Sequence, residues 1–275
     1  MIRETDYKNC EIWKTKEDFS SCSLDVIVLS FNGLETSKDF LKFFLLNTPH
    51  DNVRLIWVDN GSSDGTRKFL QKTFDEVVEN GVLILSNTNL GVIEGRNLGF
   101  DVSNFINGEE PPCEKLMFLD NDQFVGEGWL EHHLAVLDQG YDLVGVEAWQ
   151  LSDSFMPVLH IKRLNQFFHY VGCGGMVIKR EVTDEIGMFD TRFSPAYFED
   201  PDFCLRSVES GFKIGWNIKA KIVHMPHRTL GQIDSNKKHK ILLSSLFKFR
   251  EKWKGKRLPV MRQKHLEVFS SLQER

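Results

Sequence analysis

Two acidic clusters in this chain have a spacing that chemistry can use. The first closes Leu116-Met117-Phe118-Leu119-Asp120-Asn121-Asp122, an apolar run that ends abruptly in two carboxylates one residue apart. A buried strand of this kind delivers acids to a sheet edge, where oxygen ligands suit a hard divalent cation such as Mg²⁺ or Mn²⁺. Those ions take one or two protein carboxylates and leave positions for substrate phosphates, so a nucleoside diphosphate is the first ligand to consider. The second cluster is Tyr197-Phe198-Glu199-Asp200-Pro201-Asp202-Phe203-Cys204-Leu205-Arg206, three acids around one proline. Local rules read it as a helix start, with Asp200 as N-cap, Pro201 at the first helical position and Asp202 favourable against the dipole. That reading leaves Glu199 without a role. It also leaves over the Tyr197-Phe198 pair and the upstream Gly172-Cys173-Gly174-Gly175 loop, where missing side chains let a ligand approach the backbone. Further on, Ile222-Val223-His224-Met225-Pro226-His227 ends a short strand in histidines, a residue type that serves as metal ligand or as ordinary structure.

The elements that must position these groups alternate in period, the pattern of strands crossing to helices around a mostly parallel sheet in an α/β fold. Leu24 to Phe31, Val53 to Val58, Val82 to Leu85 and the run before Asp120 read as strands. Thr36 to Leu46, Asp64 to Glu79 and Val92 to Asn104 read as the intervening helices, with a Gly/Glu/Pro loop at Asn107 to Pro112. Ligands of open α/β sheets bind outside the C-terminal strand ends, and here those ends are polar: Ser30-Phe31-Asn32-Gly33, Asp59-Asn60-Gly61, Ser86-Asn87 and Asp120-Asn121-Asp122. Each has a plain local explanation, since Ser62 or Ser63 can cap the second helix and Asn-Gly pairs make turns. Neither a dinucleotide glycine fingerprint nor a P-loop is present, so phosphates would need other partners. Arg96, on the helix after the third strand, has the planar fork for a phosphate or base and equally for a salt bridge.

Composition excludes several classes. The 275 residues, 41% hydrophobic and 27% charged, suit a folded chain with one large domain or two small ones. No apolar run reaches the roughly 20 residues of a membrane span, and the first residues lack a signal-peptide core, so the expected location is cytoplasmic. Five scattered cysteines, Cys10, Cys22, Cys113, Cys173 and Cys204, contain no Cys-x-x-Cys pair and predict reduced, buried thiols. The net charge of −5 hides a basic C-terminal end: Lys237, Lys238, Lys240, Lys248, Arg250, Lys252, Lys254, Lys256, Arg257, Arg262 and Lys264. With Leu242, Leu243, Leu246, Phe247 and Phe249 interleaved at helical spacing, this tail could rest on the anionic inner face of a membrane, touch nucleic acid, or dock on its own domain with the lysines solvated.

Taken in order, Val28-Leu29-Ser30-Phe31-Asn32, Val58-Asp59-Asn60-Gly61-Ser62-Ser63-Asp64-Gly65-Thr66, Asn87-Thr88-Asn89-Leu90-Gly91, Arg96-Asn97, Asp120-Asn121-Asp122, Gly174-Gly175, Phe189-Asp190 and Phe198-Glu199-Asp200-Pro201-Asp202 resemble glycosyltransferase family 2. The likeness runs from Leu24 to about Thr229 and is greatest to rhamnosyltransferases and other transferases of bacterial surface polysaccharides. It implies a GT-A fold of residues 24–230, with 24–122 binding the nucleotide and 123–230 the acceptor, between an extension 1–23 and a basic helical tail 231–275. It also implies inverting transfer from a nucleoside diphosphate sugar to an acceptor hydroxyl, assisted by Mn²⁺ or Mg²⁺. By that resemblance Asp122 and His224 hold the metal, and Asp120 reaches the ribose or a metal-bound water. Asp59 accepts from the base N–H with Ser30, Asn32 and Asn121 nearby, and Arg96 holds the nucleotide. Gly174, Gly175 and Glu199 meet the sugars, while Asp200 is the general base with Glu199 next in line.

Two other classes share parts of this pattern. A nucleotidyltransferase would use the same metal edge but wants a glycine-rich basic loop after the first strand, and Asn32-Gly33-Leu34-Glu35 is neither. A non-catalytic carbohydrate-binding protein would keep the fold and lose acids, whereas all the acids are present. The acceptor is expected to meet the C-terminal tail and the region Val146 to His169, where Trp149, Phe155, Phe167, Phe168 and nearby Tyr170 are stacking candidates or core. A glycan, a lipid-linked glycan, a protein and a nucleic acid all stay open as acceptors. UDP or dTDP is the expected donor nucleotide, because an acid that accepts from uracil N3–H serves thymine equally.

Overall fold

The structure is a computed structural model and describes residues 1–4, 6–108, 110–163, 166–225 and 234–262. Strands β1 (Ile2–Arg3) and β2 (Glu11–Lys14) lead into a regular alternation of β3 (Leu24–Ser30), α1 (Leu34–Asn47), β4 (Val53–Asp59), α2 (Thr66–Glu76), β5 (Gly81–Leu85), α3 (Val92–Phe105) and β6 (Lys115–Asp120). Shorter pieces follow: β7 (Gln123–Val125), α4 (Trp129–Leu137), β8 (Leu143–Gly145), β9 (Ala148–Leu151), β10 (Pro157–Ile161), β11 (Phe167–Phe168) and β12 (Tyr170–Val171). The chain then forms β13 (Met176–Lys179), α5 (Arg180–Ile186), a single 3₁₀ turn at Thr191–Phe193, α6 (Glu199–Glu209), β14 (Ile214–Trp216), β15 (Ile222–His224), α7 (Ser235–Trp253) and β16 (Met261–Arg262).

Nine strands make one sheet in the order β1-β2-β5-β4-β3-β6-β13-β8-β14. Its centre, β5-β4-β3-β6, is parallel, and antiparallel pairings flank it: β2 on β5 at one side, β13 between β6 and β8 at the other. The first residues thus extend the sheet edge, with Glu11 opposite Leu85. Buried on both faces, the central strands read as continuous apolar runs. Val26, Val28, Leu55 and Trp57 point into one core layer with Phe40, Phe44, Leu70 and Phe74, and Ile27, Ile56 and Val58 into the other with Ile93, Leu98 and Val102. All five cysteines are buried and free. Among the described residues no helix is long and apolar enough to cross a membrane.

Several local expectations need correction. The second helix begins at Thr66, not Asp64, because the Asp64 carboxylate stays outside it and accepts from the Thr66 N–H (3.1 Å) and the Leu34 N–H (3.1 Å). Ser62 and Ser63 do not cap it. Instead the Ser62 hydroxyl accepts from Asn32 N–H at 3.0 Å, and Ser63 N–H donates to Asn32 Oδ1 at 2.7 Å. The tail folds back as α7, which buries Ser245, Leu246, Phe249 and Trp253, while Leu243 and Phe247 of the anticipated stripe are exposed. His227, Lys264 and the 230/231 boundary lie outside the described residues.

Candidate active site

The ends of β3, β4 and β6 lie side by side, with Ser30 paired to Asp59 and Leu29 to Asp120. Ser30 is buried and its hydroxyl accepts from Trp57 Nε1 at 2.8 Å. Asn32 adopts φ +47° and knits the turn after β3 to the turn after β4. Asp59 is fully buried. Its Oδ2 accepts a long bond from Ser62 N–H (3.4 Å), its Oδ1 has no partner, and burial pushes its carboxyl above the usual range. An orphaned buried oxygen costs about 1–3 kcal/mol, so it calls for a partner such as a base N–H.

Past β6 the chain turns so that β7 can pair with β15, His224 opposite Gln123. Met225 N–H donates to Asp122 O at 2.9 Å, which locks the two segments together. Ligand atoms of Asp120, Asp122 and His224 consequently lie within 4.8 Å of one another. His224 Nε2 is 3.3 Å from Asp122 Oδ1 and its Nδ1 is 3.4 Å from Glu147 Oε1. Those two hydrogen bonds, with Asp122 the stronger influence, raise the imidazole to about 10. A divalent cation here would compete with that proton, since a ligating imidazole is neutral. Two carboxylates and one imidazole fit Mn²⁺ or Mg²⁺, the nitrogen donor favouring Mn²⁺. Asn121 is buried between the acids and donates to Ser37 Oγ at 3.3 Å.

The loop Gly172-Cys173-Gly174-Gly175 closes over β6, its Gly175 N–H donating to Phe118 O at 2.7 Å. At Gly174 an added Cβ would fall 2.5 Å from Asp120 Oδ2, so only glycine leaves the acid its position. Gly175 has φ +84°, and a Cβ there would strike Val146 at 2.6 Å.

Arg96 takes the salt-bridge form that the sequence also allowed, buried and not at the surface. Two carboxylates occupy it: Nη2 is 2.6 Å from Asp120 Oδ1 and Nη1 is 3.3 Å from Glu199 Oε1. Its fork thereby ties Asp120 at the end of β6 to the acidic helix. That helix, α6, starts differently from the sequence expectation. Its N-cap is Phe198 at φ +68°, following Tyr197 at φ +73°, and no side chain caps it. Asp200 is thus inside the first turn and is not a cap. Its Oδ1 is buried without a partner, and burial followed by the neighbouring Glu199 carboxylate raises it to about 8. Glu199 is likewise pushed up by burial, and its Oε2 has no partner. Asp202 does more than face the dipole: fully buried, it accepts from Arg206 (2.9 Å), Lys252 (2.8 Å) and Trp253 Nε1 (2.9 Å).

Most of the aromatic candidates belong to the core: Phe168 and Tyr170 are buried, and Phe155 packs edge-on against Phe249. Phe167 is half-buried against the His169 ring. Trp149, half-buried, stacks on His160 at 4.5 Å. A cavity of about 220 Å³ adjoins the cation cluster, lined by Gln123, Glu147, His160, Lys162, Trp216 and His224. Glu147 and Gln123 went unnoticed in the sequence. Gln123 Oε1 accepts from Asp120 N–H at 2.9 Å, and neither residue stands in a motif.

With this geometry in place, similarity to known proteins defines the class. The sequence profile "Glycosyl transferase family 2" matches residues 25–207, and the chain belongs to that family. It is 28% identical over 203 residues to Glycosyltransferase AglE of Haloferax volcanii, a match covering 70% of this chain and 63% of that relative. Mannosyltransferase PcManGT from Pyrobaculum calidifontis, in complex with GDP-Man and Mn²⁺, superposes with a TM-score of 0.63 at 14% identity, over 89% of this chain and 68% of its own. GalNAc-T7 with UDP, GalNAc and Mn²⁺ gives 0.61 at 14% identity, over 74% and 44%. S. aureus TarS 1-349 in complex with UDP-GlcNAc gives 0.55 at 15% identity, over 80% and 64%. These likenesses establish the GT-A fold.

Proposed function

We propose that the protein is an inverting, divalent-cation-dependent glycosyltransferase that moves a sugar from a nucleoside diphosphate to an acceptor hydroxyl, on a glycan by preference. The observation that supports this reading is the Asp120–Arg96–Glu199 bridge, which ties the cation cluster to the start of α6, where Asp200 keeps a buried oxygen without a partner. Inversion in one displacement needs a base facing the departing diphosphate across the anomeric carbon. Asp200 takes the acceptor proton as the new C–O bond forms and the sugar–phosphate bond breaks. Such a base contributes about 10²–10⁴ in rate. Asp122, His224 and Asp120 would hold Mn²⁺ or Mg²⁺, which supplies charge neutralisation for the leaving diphosphate. Asp59 accepts from the base, with Ser30, Asn32 and Asn121 shaping its surroundings, and Asp120 also reaches towards the ribose. Gly174 and Gly175 admit the donor sugar, and Glu199 orients its hydroxyls.

UDP or dTDP is the donor nucleotide in this reading, supported by the unpartnered Asp59 Oδ1 and by UDP in two of the similar folds; GDP-Man in the third keeps guanine in the test panel. Incubation with a panel of nucleotide sugars, sugar acceptors and Mn²⁺ decides among the classes. Release of nucleoside diphosphate is expected, with inverted anomeric configuration in the product by NMR. Pyrophosphate chemistry would point to a nucleotidyltransferase, and donor binding without turnover by any acceptor to a binding protein. Peripheral membrane contact through α7 is a separate proposal, and cosedimentation with anionic vesicles tests it.

A further inference from the structure

Glu147 lies in the turn between β8 and β9, outside every motif discussed above, yet its carboxylate faces the one nitrogen donor of the cation cluster. His224 presents Nε2 towards Asp122 (3.3 Å) and Nδ1 towards Glu147 (3.4 Å), so the ring is held at both ends by acids. Neither acid is placed by local sequence: β7–β15 pairing brings Asp122 beside His224, and Gly172 N–H donates to Glu147 O at 2.9 Å to fix the turn. Imidazoles that ligate a metal through one nitrogen characteristically donate the other N–H to a carboxylate, which sets the tautomer and raises ligand basicity.

We infer that Glu147 is a positioning residue for the cation site, accepting the Nδ1–H of His224 so that Nε2 is presented to the divalent ion beside Asp122. This rests on the cation reading proposed above. Three features separate the role from plain packing. The carboxylate meets Nδ1 while Asp122 meets Nε2, so the two acids address different ring nitrogens. Glu147 is half-buried, so the contact is not an ordinary surface pair. It also forms part of the wall of the 220 Å³ cavity, which places the ring support where a substrate would press on it.

Mn²⁺ titration of the intact protein, by calorimetry or by loss of the free-ion EPR signal, tests the inference without any turnover. Glu147→Ala is expected to weaken Mn²⁺ binding about 10- to 100-fold. Glu147→Gln retains an acceptor oxygen and should recover most of that loss. In a His224→Ala background, Glu147→Ala should cost nothing further, because the ring it supports is gone. Equal losses for the Gln and Ala variants would make Glu147 a direct ligand and overturn the positioning role. An unchanged affinity in Glu147→Ala, or full additivity with His224→Ala, would overturn it as well. Absence of Mn²⁺ binding by the unaltered protein would instead remove the cation reading itself, and this inference with it. Circular dichroism of each variant checks that the fold is retained.

Discussion

Buried carboxylates occur at both ends of the central sheet, and they are treated in opposite ways. At the N-terminal end Asp25 on β3 is fully buried, and its register partner on β4 is Arg54. Arg54 Nε and Nη2 meet its two oxygens at 2.7 and 3.0 Å, and Arg180 Nη2 adds a third contact at 2.9 Å. At the C-terminal end Asp59, Glu199 and Asp200 each keep one buried oxygen without a partner. Evenly satisfied acids belong to a structural clasp, because every lone pair that burial strips of water is repaid by a donor. Acids left short at a strand edge hold a cost that a water, a proton or a ligand must remove. The contrast singles out the C-terminal strand edge for test without reference to any motif.

The largest expected effect is at Asp200. Asp200→Asn should lower kcat by about 10²–10⁴ while donor affinity, measured by calorimetry, stays near normal. Near-normal turnover would pass the base role to Glu199. The opposite end should respond in the opposite way: Asp25→Asn should strand two buried guanidinium groups and destabilise the fold by about 3–5 kcal/mol, read from denaturant midpoints, with little change in KM for the molecules still folded.

The pH response sharpens the same contrast. Because the base must be ionised, kcat/KM should climb with pH through an apparent value near 8 that belongs to the Asp200 and Glu199 pair jointly. Stability moves the other way. An acid whose folded pKa is raised contributes fully below the ordinary carboxylate range and loses that contribution as pH climbs through about 8. Asp200→Asn should therefore gain stability over the natural chain on going from pH 5 to pH 9. A constant difference across that range would contradict the raised carboxyl. A smaller effect is expected at Lys252, which joins Asp190 and Asp202 from α7 at 2.8 Å each. Lys252→Ala should cost about 1–3 kcal/mol, since Asp202 keeps Arg206 and Trp253, and it should lower kcat more than donor affinity. A change in donor affinity alone would mean that α7 does not steady α6.

The two ends also differ in how far residue order reveals them. Acids at the ends of β4 and β6 were readable because each closes an apolar run, and a strand of that length has one direction in which to deliver its last side chain. His224 joined them by resemblance, and only the β7–β15 register shows why it belongs there. A salt bridge at Arg96 was readable but its partners were not, because Asp120 and Glu199 lie 24 and 103 residues away. Asp200 misled the capping rules for a physical reason. The left-handed pair Tyr197 and Phe198 begins the helix early and turns the aspartate inward, a strained arrangement that propensity scales penalise. Glu147 and Asp25 gave no local signal at all, since each acquires its meaning from a strand that arrives later in the chain.

The five interior thiols give the chain its own reporters. Burial drives Cys173, Cys113 and Cys204 well above the ordinary thiol range, and Cys10 and Cys22 are raised too. Alkylating reagents react with thiolates, so the closed molecule should be almost inert to them. Cys173 is the most telling, because it is buried in the glycine loop over β6 and the Asp200 carboxylate is among the groups that raise its thiol. Its alkylation rate then clocks how often the floor beneath the reaction lifts, and saturating donor should slow that clock.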